Sequence, residues 1–192
     1  HRNQRVLSIR QEIYKKLNEF YGPMIMLLNE SNELYKLFKS GKEKYEDEEQ
    51  ELFRTLSFLL KGNRKLLTKT DHALRQKIFM LGKKMEAIIE NNMGLIDNKY
   101  LFELVGHLAI HFKIIRLAYK GKLNTNKSNV KLFADKTFPN AIADALNMYF
   151  DFLKLHLEKF NRGVNKKELK KRYIEIFRKH EANINKDLQK YI

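Results

Sequence analysis

Apolar residues between Val6 and Phe38 recur in alternating steps of four and three, and this spacing constrains the fold more than any other feature of the chain. Residues three or four places apart share one face of an α-helix, so the pattern predicts one long helix over residues 4–40. The rhythm keeps its phase through Gly22-Pro23. Proline lacks a backbone N–H, and we therefore expect the helix to kink there and then resume. The apolar stripe consists of Ile13, Leu17, Phe20, Met24, Leu27, Leu34 and Phe38.

Helical spacing continues along the rest of the chain, and no stretch alternates polar and apolar residues as a half-buried strand does. We expect an all-α fold, an elongated antiparallel bundle of about six helices, in a single domain over residues 1–192. A polar loop is predicted over residues 121–138. The helix ends are marked by residues typical of caps and turns, namely the acidic run 46–49, Gly62, Thr70-Asp71, Asp97 or Asn98, Gly121, Pro139 and Asn165.

The fifth predicted helix carries its polar residues along one narrow line that includes Asp144, Asp151 and Glu158. A helix with so little polar surface must pack against neighbours on its other sides, so we expect it at the centre of the bundle. The three carboxylates could be general acids or cation ligands. Asn147 and Lys154 share the line, which favours a solvated or ion-paired stripe.

Several classes of chemistry are excluded by the residues that the chain lacks. There is no cysteine, so a disulfide framework, a thiolate nucleophile, a Cys-ligated zinc and an iron–sulfur cluster cannot form. No nucleophile elbow, glycine-rich phosphate loop, kinase signature or dinucleotide fingerprint occurs. Residues 61–64 lack the spacing of a phosphate loop and are read as a turn. We therefore expect no catalytic residue and no cofactor.

The nearest approach to a metal motif is Glu103, His107 and His111, spaced by four residues along the fourth predicted helix. Side chains at this spacing line one helical face, and two imidazoles one turn apart can share a divalent ion. A bundle metal site also needs ligands from facing helices, and no Glu-x-x-His pair is present to supply them. Histidines on apolar stripes, such as His111 and His180, are more simply hydrogen-bonded residues of the core.

The chain has a formal net charge of +15, and the charge is unevenly distributed. Residues 1–60 hold ten basic and ten acidic groups, whereas the stretches 61–100, 101–138 and 163–192 each carry an excess of five positive charges. The densest basic cluster opens the last predicted helix, and its members are Lys166, Lys167, Lys170, Lys171 and Arg172. Such a cluster favours an anionic partner.

The anionic partner could be a membrane surface or the phosphate backbone of a nucleic acid. Lysines outnumber arginines by 28 to ten, whereas base and bidentate phosphate recognition favours arginine. No helix-turn-helix spacing or aromatic and basic RNA-binding motif is present. Binding of nucleic acid is therefore expected only as a non-specific alternative.

The segment Phe20-Tyr21-Gly22-Pro23-Met24, followed by Leu27-Leu28 and Leu34-Tyr35-x-x-Phe38, resembles one in uncharacterised bacterial proteins with a single membrane-spanning helix. In that group a Tyr-x-Pro-Leu-like kink follows the membrane helix and opens a helical cytosolic domain, with Met24 here replacing the expected Leu. The resemblance implies that this chain is the cytosolic part of such a protein. Arg2, Arg5 and Arg10 would suit the cytosolic flank of a membrane helix upstream of His1.

Together these observations predict a non-catalytic helical interaction or scaffold module in the cytoplasm, tethered to the inner membrane by a segment upstream of His1. Its expected partner is another protein or a second copy, bound through the apolar stripe of the first helix, with an anionic membrane as a further surface. The alternative for the stripe is that later helices bury it. A non-specific nucleic-acid-binding bundle is the alternative function, and a metal-binding bundle at His107 and His111 is less favoured.

Overall fold

The computed structural model describes residues 2–42, 55–123, 133, 138–162 and 165–188, and all regular elements in these ranges are helical. The predicted all-α fold is confirmed. Two short 3₁₀ turns lie at Asn63–Leu66 and Met93–Leu95. The α-helices are α1 (Arg2–Lys16), α2 (Gly22–Lys39), α3 (Thr55–Leu60), α4 (Lys69–Asn92), α5 (Lys99–Tyr119), α6 (Ile142–Arg162) and α7 (Lys166–Leu188).

The long first helix is a continuous helical path made of α1, a π-helical turn at Leu17–Tyr21, and α2. The interruption expected at Pro23 takes the form of this π turn, on the N-terminal side of the proline. The Gly22 N–H donates to the carbonyl of Leu17, five residues earlier. A Cβ atom at Gly22 would lie 2.8 Å from that same carbonyl oxygen, so the turn requires glycine.

Pro23 removes the backbone donor that would normally reach the Glu19 carbonyl in the turn before it. The Asn92 side chain, at the end of α4, takes the place of this donor. Its Nδ2 donates to the Glu19 carbonyl oxygen at 3.3 Å and to the Ile88 carbonyl oxygen at 3.1 Å. A side chain distant in sequence thus satisfies a carbonyl that the proline leaves without its helical partner.

The chain forms two compact units. Unit 1 contains His1–Met26, Ile88–Val105 and Pro139–Ile192, and unit 2 contains Leu27–Ala87 and Gly106–Phe138. The boundaries fall within α2, α4 and α5, so three helices contribute residues to both units. A single domain over residues 1–192 stays a prediction.

Unit 1 is built around α6, which packs against α1, the π turn and α7. Cross-helix pairs show that α6 and α7 run antiparallel, because residues later in α6 contact residues earlier in α7. The residues of α6 that pack inward include Ile142 and Leu146, which have no exposed surface. The expectation that α6 is packed by neighbours on several sides is met within this unit.

Unit 2 contains side-chain contacts between α4 and α5. Arg116 Nη2 donates to both carboxylate oxygens of Glu86, at 2.9 and 2.8 Å. A Cβ atom at Gly82 would lie 2.6 Å from a ring carbon of Phe112, so α4 carries glycine where the Phe112 ring approaches its backbone. The ends of the two helices meet at His72 and Tyr119, whose Nδ1 and hydroxyl oxygen share a 2.6 Å hydrogen bond.

The predicted use of the first-helix stripe as an association surface is wrong, because the stripe lies in the core. Six of its seven residues are buried: Ile13, Leu17, Phe20, Met24, Leu27 and Phe38. The seventh, Leu34, is half-buried. The alternative, that other helices bury the stripe, is therefore correct for these six. Burial of apolar side chains is the main driving force for packing such a helix against its neighbours.

The start of α4 differs from the predicted one, and two other predicted segments lie largely or wholly outside the described residues. The cap of α4 is Thr68 rather than Thr70: the Thr68 hydroxyl accepts a hydrogen bond from the Asp71 N–H, and the Asp71 carboxylate accepts one from the Thr68 N–H. The acidic run 46–49 and most of the polar loop 121–138 lie outside the described residues. The described part of that loop includes Phe133, which packs against the apolar core of unit 2.

Two helical glycines, Gly82 and Gly106, should respond oppositely to substitution by alanine. Gly82→Ala places a methyl group against the buried Phe112 ring, and we expect it to lower the free energy of unfolding by about 1–3 kcal/mol. Gly106→Ala meets nothing within 4 Å and should raise the free energy of unfolding by about 0.5–1 kcal/mol. Urea unfolding followed by circular dichroism measures both. A neutral or stabilising Gly82→Ala would contradict the close approach of α4 and α5.

Candidate functional site

The basic cluster predicted from the sequence lies in the first two turns of α7. Lys166, Lys167, Lys170 and Lys171 are exposed, whereas Arg172 is half-buried and its Nη1 donates to Glu158 of α6 at 2.6 Å. Asn165 caps the helix, because its Oδ1 accepts from the Lys167 N–H at 2.9 Å. Four of the five predicted residues therefore face solvent, and the fifth joins α7 to α6.

The exposed face of α7 carries apolar residues among its cations. Ile174 is 41% exposed and Phe177 is 43% exposed. At 100° per residue, the face spans about 140° of the helix circumference. Glu168 and Glu175 project about a third of a turn away from its centre. We call this surface the α7 basic face; its members are Lys166, Lys167, Lys170, Lys171, Ile174, Phe177 and Arg178.

The carboxylate line of α6 is an ion-paired stripe, one of the two readings that the sequence left open. Each of the three carboxylates contacts a basic residue of α7. His180 Nδ1 donates to Asp144 at 2.9 Å, and Arg172 donates to Glu158. Lys179 lies 4.0 Å from Asp151. His180 is buried with this pairing, while its Nε2 atom has no partner among the described residues.

The three candidate metal ligands differ in their surroundings. Glu103 and His107 are exposed, whereas His111 is buried, with its ring against the rings of Phe112 and Phe138. Glu103 Oε1 lies 3.9 Å from Lys99 Nζ. In the part of the chain that the structure describes, no three His, Asp or Glu side chains gather closely enough to hold a metal ion.

A cleft of about 350 Å³ opens in unit 1 beside the π turn. Its residues come from four separate stretches of chain, which is why spacing within one helix did not point to it. Its three tyrosine side chains, one each from α6, α7 and the π turn, give the cleft an aromatic and hydrogen-bonding character. The lining residues are Lys16, Tyr21, Asp97, Asn98, Tyr149, Phe152, Leu153, His156 and Tyr173.

Burial and nearby charges shift the pKa values of three polar groups in the cleft. Burial lowers the pKa of Lys16, but the hydrogen bonds of Lys16 to Asp97 and Glu12 outweigh it, so the net pKa is raised. Burial raises the pKa of Tyr21 far above its usual value, with the nearby Asp97 charge adding to the effect. Burial, with the charge of Lys159, lowers the pKa of His156, which favours the neutral imidazole at pH 7.

The cleft offers aromatic surface and hydrogen-bonding groups, but the residues described here do not assemble a catalytic pair in it. His156 stacks on Phe160 at 5.6 Å between ring centroids and makes no hydrogen bond with any described residue. A general base needs to lie within hydrogen-bond reach of the group that it activates. The only sequence signal that could have indicated the cleft is the concentration of aromatic residues in α6 and at Tyr173.

Comparisons with known proteins found no matching family model, curated protein or solved structure. None of the described helices is both long enough and apolar enough to cross a membrane.

Removal of the carboxylate that pairs with buried His180 should lower the free energy of unfolding far more than removal of an exposed ion-pair partner. Asp144→Ala leaves the buried Nδ1–H of His180 without its acceptor, and we expect a loss of about 1–3 kcal/mol in the free energy of unfolding. Lys179→Gln breaks a long, exposed contact to Asp151 and should change it by less than about 0.5 kcal/mol. Urea unfolding at neutral pH compares the two variants. Equal losses would contradict the buried pair.

The raised pKa of Tyr21 predicts a dependence of stability on alkaline pH. The phenol keeps its proton in the folded protein at pH values where the unfolded chain, with a pKa near 10.0, has released it. The free energy of unfolding should therefore fall as the pH rises above about 10. Tyr21→Phe should make this fall in the free energy of unfolding smaller. The measurement is a series of urea unfolding midpoints across this pH range. Tyr14→Phe, which removes an exposed phenol from α1, is the matched control and should keep the wild-type slope.

Proposed function

We propose that this chain is a non-catalytic helical interaction module that docks on an anionic membrane surface through the α7 basic face. One observation carries the proposal: exposed lysines surround two exposed apolar side chains on one face of one helix. Cations are attracted to the negative surface of a membrane, and apolar side chains between them can enter the boundary between headgroups and acyl chains. A phosphate backbone would use the charges but leave Ile174 and Phe177 without a partner.

The orientation of α7 supports the same surface. Its opposite side is committed to α6 through Arg172, Lys179 and His180, so that side cannot turn outward without breaking those pairs. The basic face is therefore held outward by the packing of the helix, and docking does not require a rearrangement of unit 1.

In this proposal the protein works at the cytosolic face of a bacterial inner membrane. A membrane-spanning segment upstream of His1, as in the group that the Gly22-Pro23 segment resembles, would bring the module to that surface. Docking of α7 would then add to the tether and orient the module on the membrane. A tether and a weak electrostatic surface together give firmer attachment than either does alone.

Vesicle binding tests the proposal. The chain should cosediment with phosphatidylcholine vesicles that contain phosphatidylglycerol, and much less with phosphatidylcholine alone. Because each Lys near an anionic surface contributes about 1 kcal/mol, neutralising Lys166, Lys167, Lys170 and Lys171 to Gln should weaken binding by at least about tenfold. A matched control removes the same charge from exposed lysines of unit 2, Lys65, Lys77, Lys83 and Lys84, and should bind nearly as well as wild type.

A second variant separates the membrane from nucleic acid. Ile174→Ser with Phe177→Ser keeps every charge of the α7 basic face, so it should weaken vesicle binding and leave the binding of a fluorescent oligonucleotide unchanged. Vesicle binding that is unaffected by both sets of changes would refute docking through α7. Oligonucleotide binding that depends on the four lysines, without vesicle binding, would support the non-specific nucleic-acid alternative instead.

A further inference from the structure

Two arginines of unit 2 stack on the same tyrosine ring. The guanidinium carbon of Arg75 lies 3.3 Å from the centroid of the Tyr119 ring, and that of Arg64 lies 4.4 Å from it. Tyr119 is 8% exposed, and its hydroxyl is held by His72 at 2.6 Å. Both guanidinium groups thus lie against a buried ring, and the distance between their central carbon atoms cannot exceed the sum of those two distances.

Local structure explains how residues distant in sequence meet at this ring. Gly62, with φ of 78°, ends the segment after α3 and begins the 3₁₀ turn that carries Arg64. Arg75 lies in the second turn of α4, and Tyr119 is the last residue of α5. The hydrogen bond between His72 and Tyr119 shows that the beginning of α4 lies beside the end of α5.

Neither arginine is neutralised within the described part of the chain. Arg75 Nη2 donates to the His72 carbonyl oxygen at 3.3 Å, and its buried Nε atom has no acceptor there. Asp71, four residues before Arg75, is already occupied by Lys42 and Thr68. Burial and the charge of Arg64 both lower the pKa of Arg75. By contrast, Arg116 has a carboxylate partner, Glu86.

We propose that Arg64 and Arg75, stacked on Tyr119, form a binding site for a phosphate monoester group. A guanidinium group presents several N–H donors in a fixed plane, and two of them offer more donors than a single carboxylate can accept. A phosphate monoester brings about two negative charges and three terminal oxygens, which match two guanidinium groups. The site belongs to unit 2 and is independent of the α7 basic face.

Isothermal titration of the full chain with glycerol 3-phosphate tests the site, with glycerol as the ligand that lacks phosphate. We expect saturable binding of glycerol 3-phosphate and none of glycerol. Arg64→Gln should weaken this binding by about tenfold or more, and because Arg64 is exposed, the substitution should leave the fold intact. Arg64→Lys keeps the charge without the planar donors and should bind with intermediate affinity.

Arg75→Gln should weaken binding at least as much, with circular dichroism used to check that the variant is folded. Arg5→Gln, at an exposed position of α1 outside both proposed binding surfaces, is the matched control and should bind as wild type does. Absence of binding by the wild type, or equal binding by Arg64→Gln, would overturn the proposal. So would an equal loss in Arg5→Gln, since it would show an unspecific charge effect.

The phosphate monoester could belong to a free metabolite or to a lipid headgroup, and one further ligand distinguishes them. Soluble dihexanoyl phosphatidic acid carries the same group on a lipid backbone. Tighter binding of this compound than of glycerol 3-phosphate, lost in Arg64→Gln, supports the site with a lipid headgroup as its source. Equal affinities support the site with a free phosphate monoester as its source.

Discussion

Pairing of the α6 carboxylates with α7 is the interaction on which the surface of unit 1 depends. Asp144, Asp151 and Glu158 project from a helix that is otherwise mostly apolar, and each contacts a basic residue of α7. The pair of Asp144 with buried His180 matters most, because a buried polar group that loses its partner costs more than an exposed pair contributes. These contacts determine which side of α7 turns inward, and so which lysines remain outside.

The π turn, which also packs against α6, determines another part of the surface of unit 1. Pro23 cannot donate to Glu19, Gly22 admits the close carbonyl of Leu17, and Asn92 supplies the missing donor. The same turn positions Tyr21 in the wall of the aromatic cleft. π-Helical turns are uncommon and are often found beside functional sites, and here the π turn lines the cleft of unit 1. The local backbone irregularity is therefore connected to a surface with binding character.

Much of the secondary structure could be predicted because helical spacing and cap residues are local properties. Asn98 caps α5 and Asn165 caps α7, as their positions indicated. Helical spacing identifies the stripe from Ile13 to Phe38 as apolar, but it does not predict that the stripe is buried within the chain. Spacing shows that a helix face avoids water, and does not show whether the same chain or another molecule covers it. The cleft and the Arg64, Arg75 and Tyr119 cluster escaped prediction, because each joins residues from several helices.

The sequence by itself determined the all-helical character, the absence of cysteine chemistry and the presence of an uneven positive charge, because these depend on composition and on neighbours within four residues. Only the tertiary structure decided which charges are satisfied internally. It neutralises Arg116 and Arg172 with glutamates, whereas Lys166, Lys167 and Lys170 of α7 and the two arginines on Tyr119 have no carboxylate partner among the described residues. Ion pairing acts over a few ångströms between helices far apart in the chain, and packing alone brings such groups together.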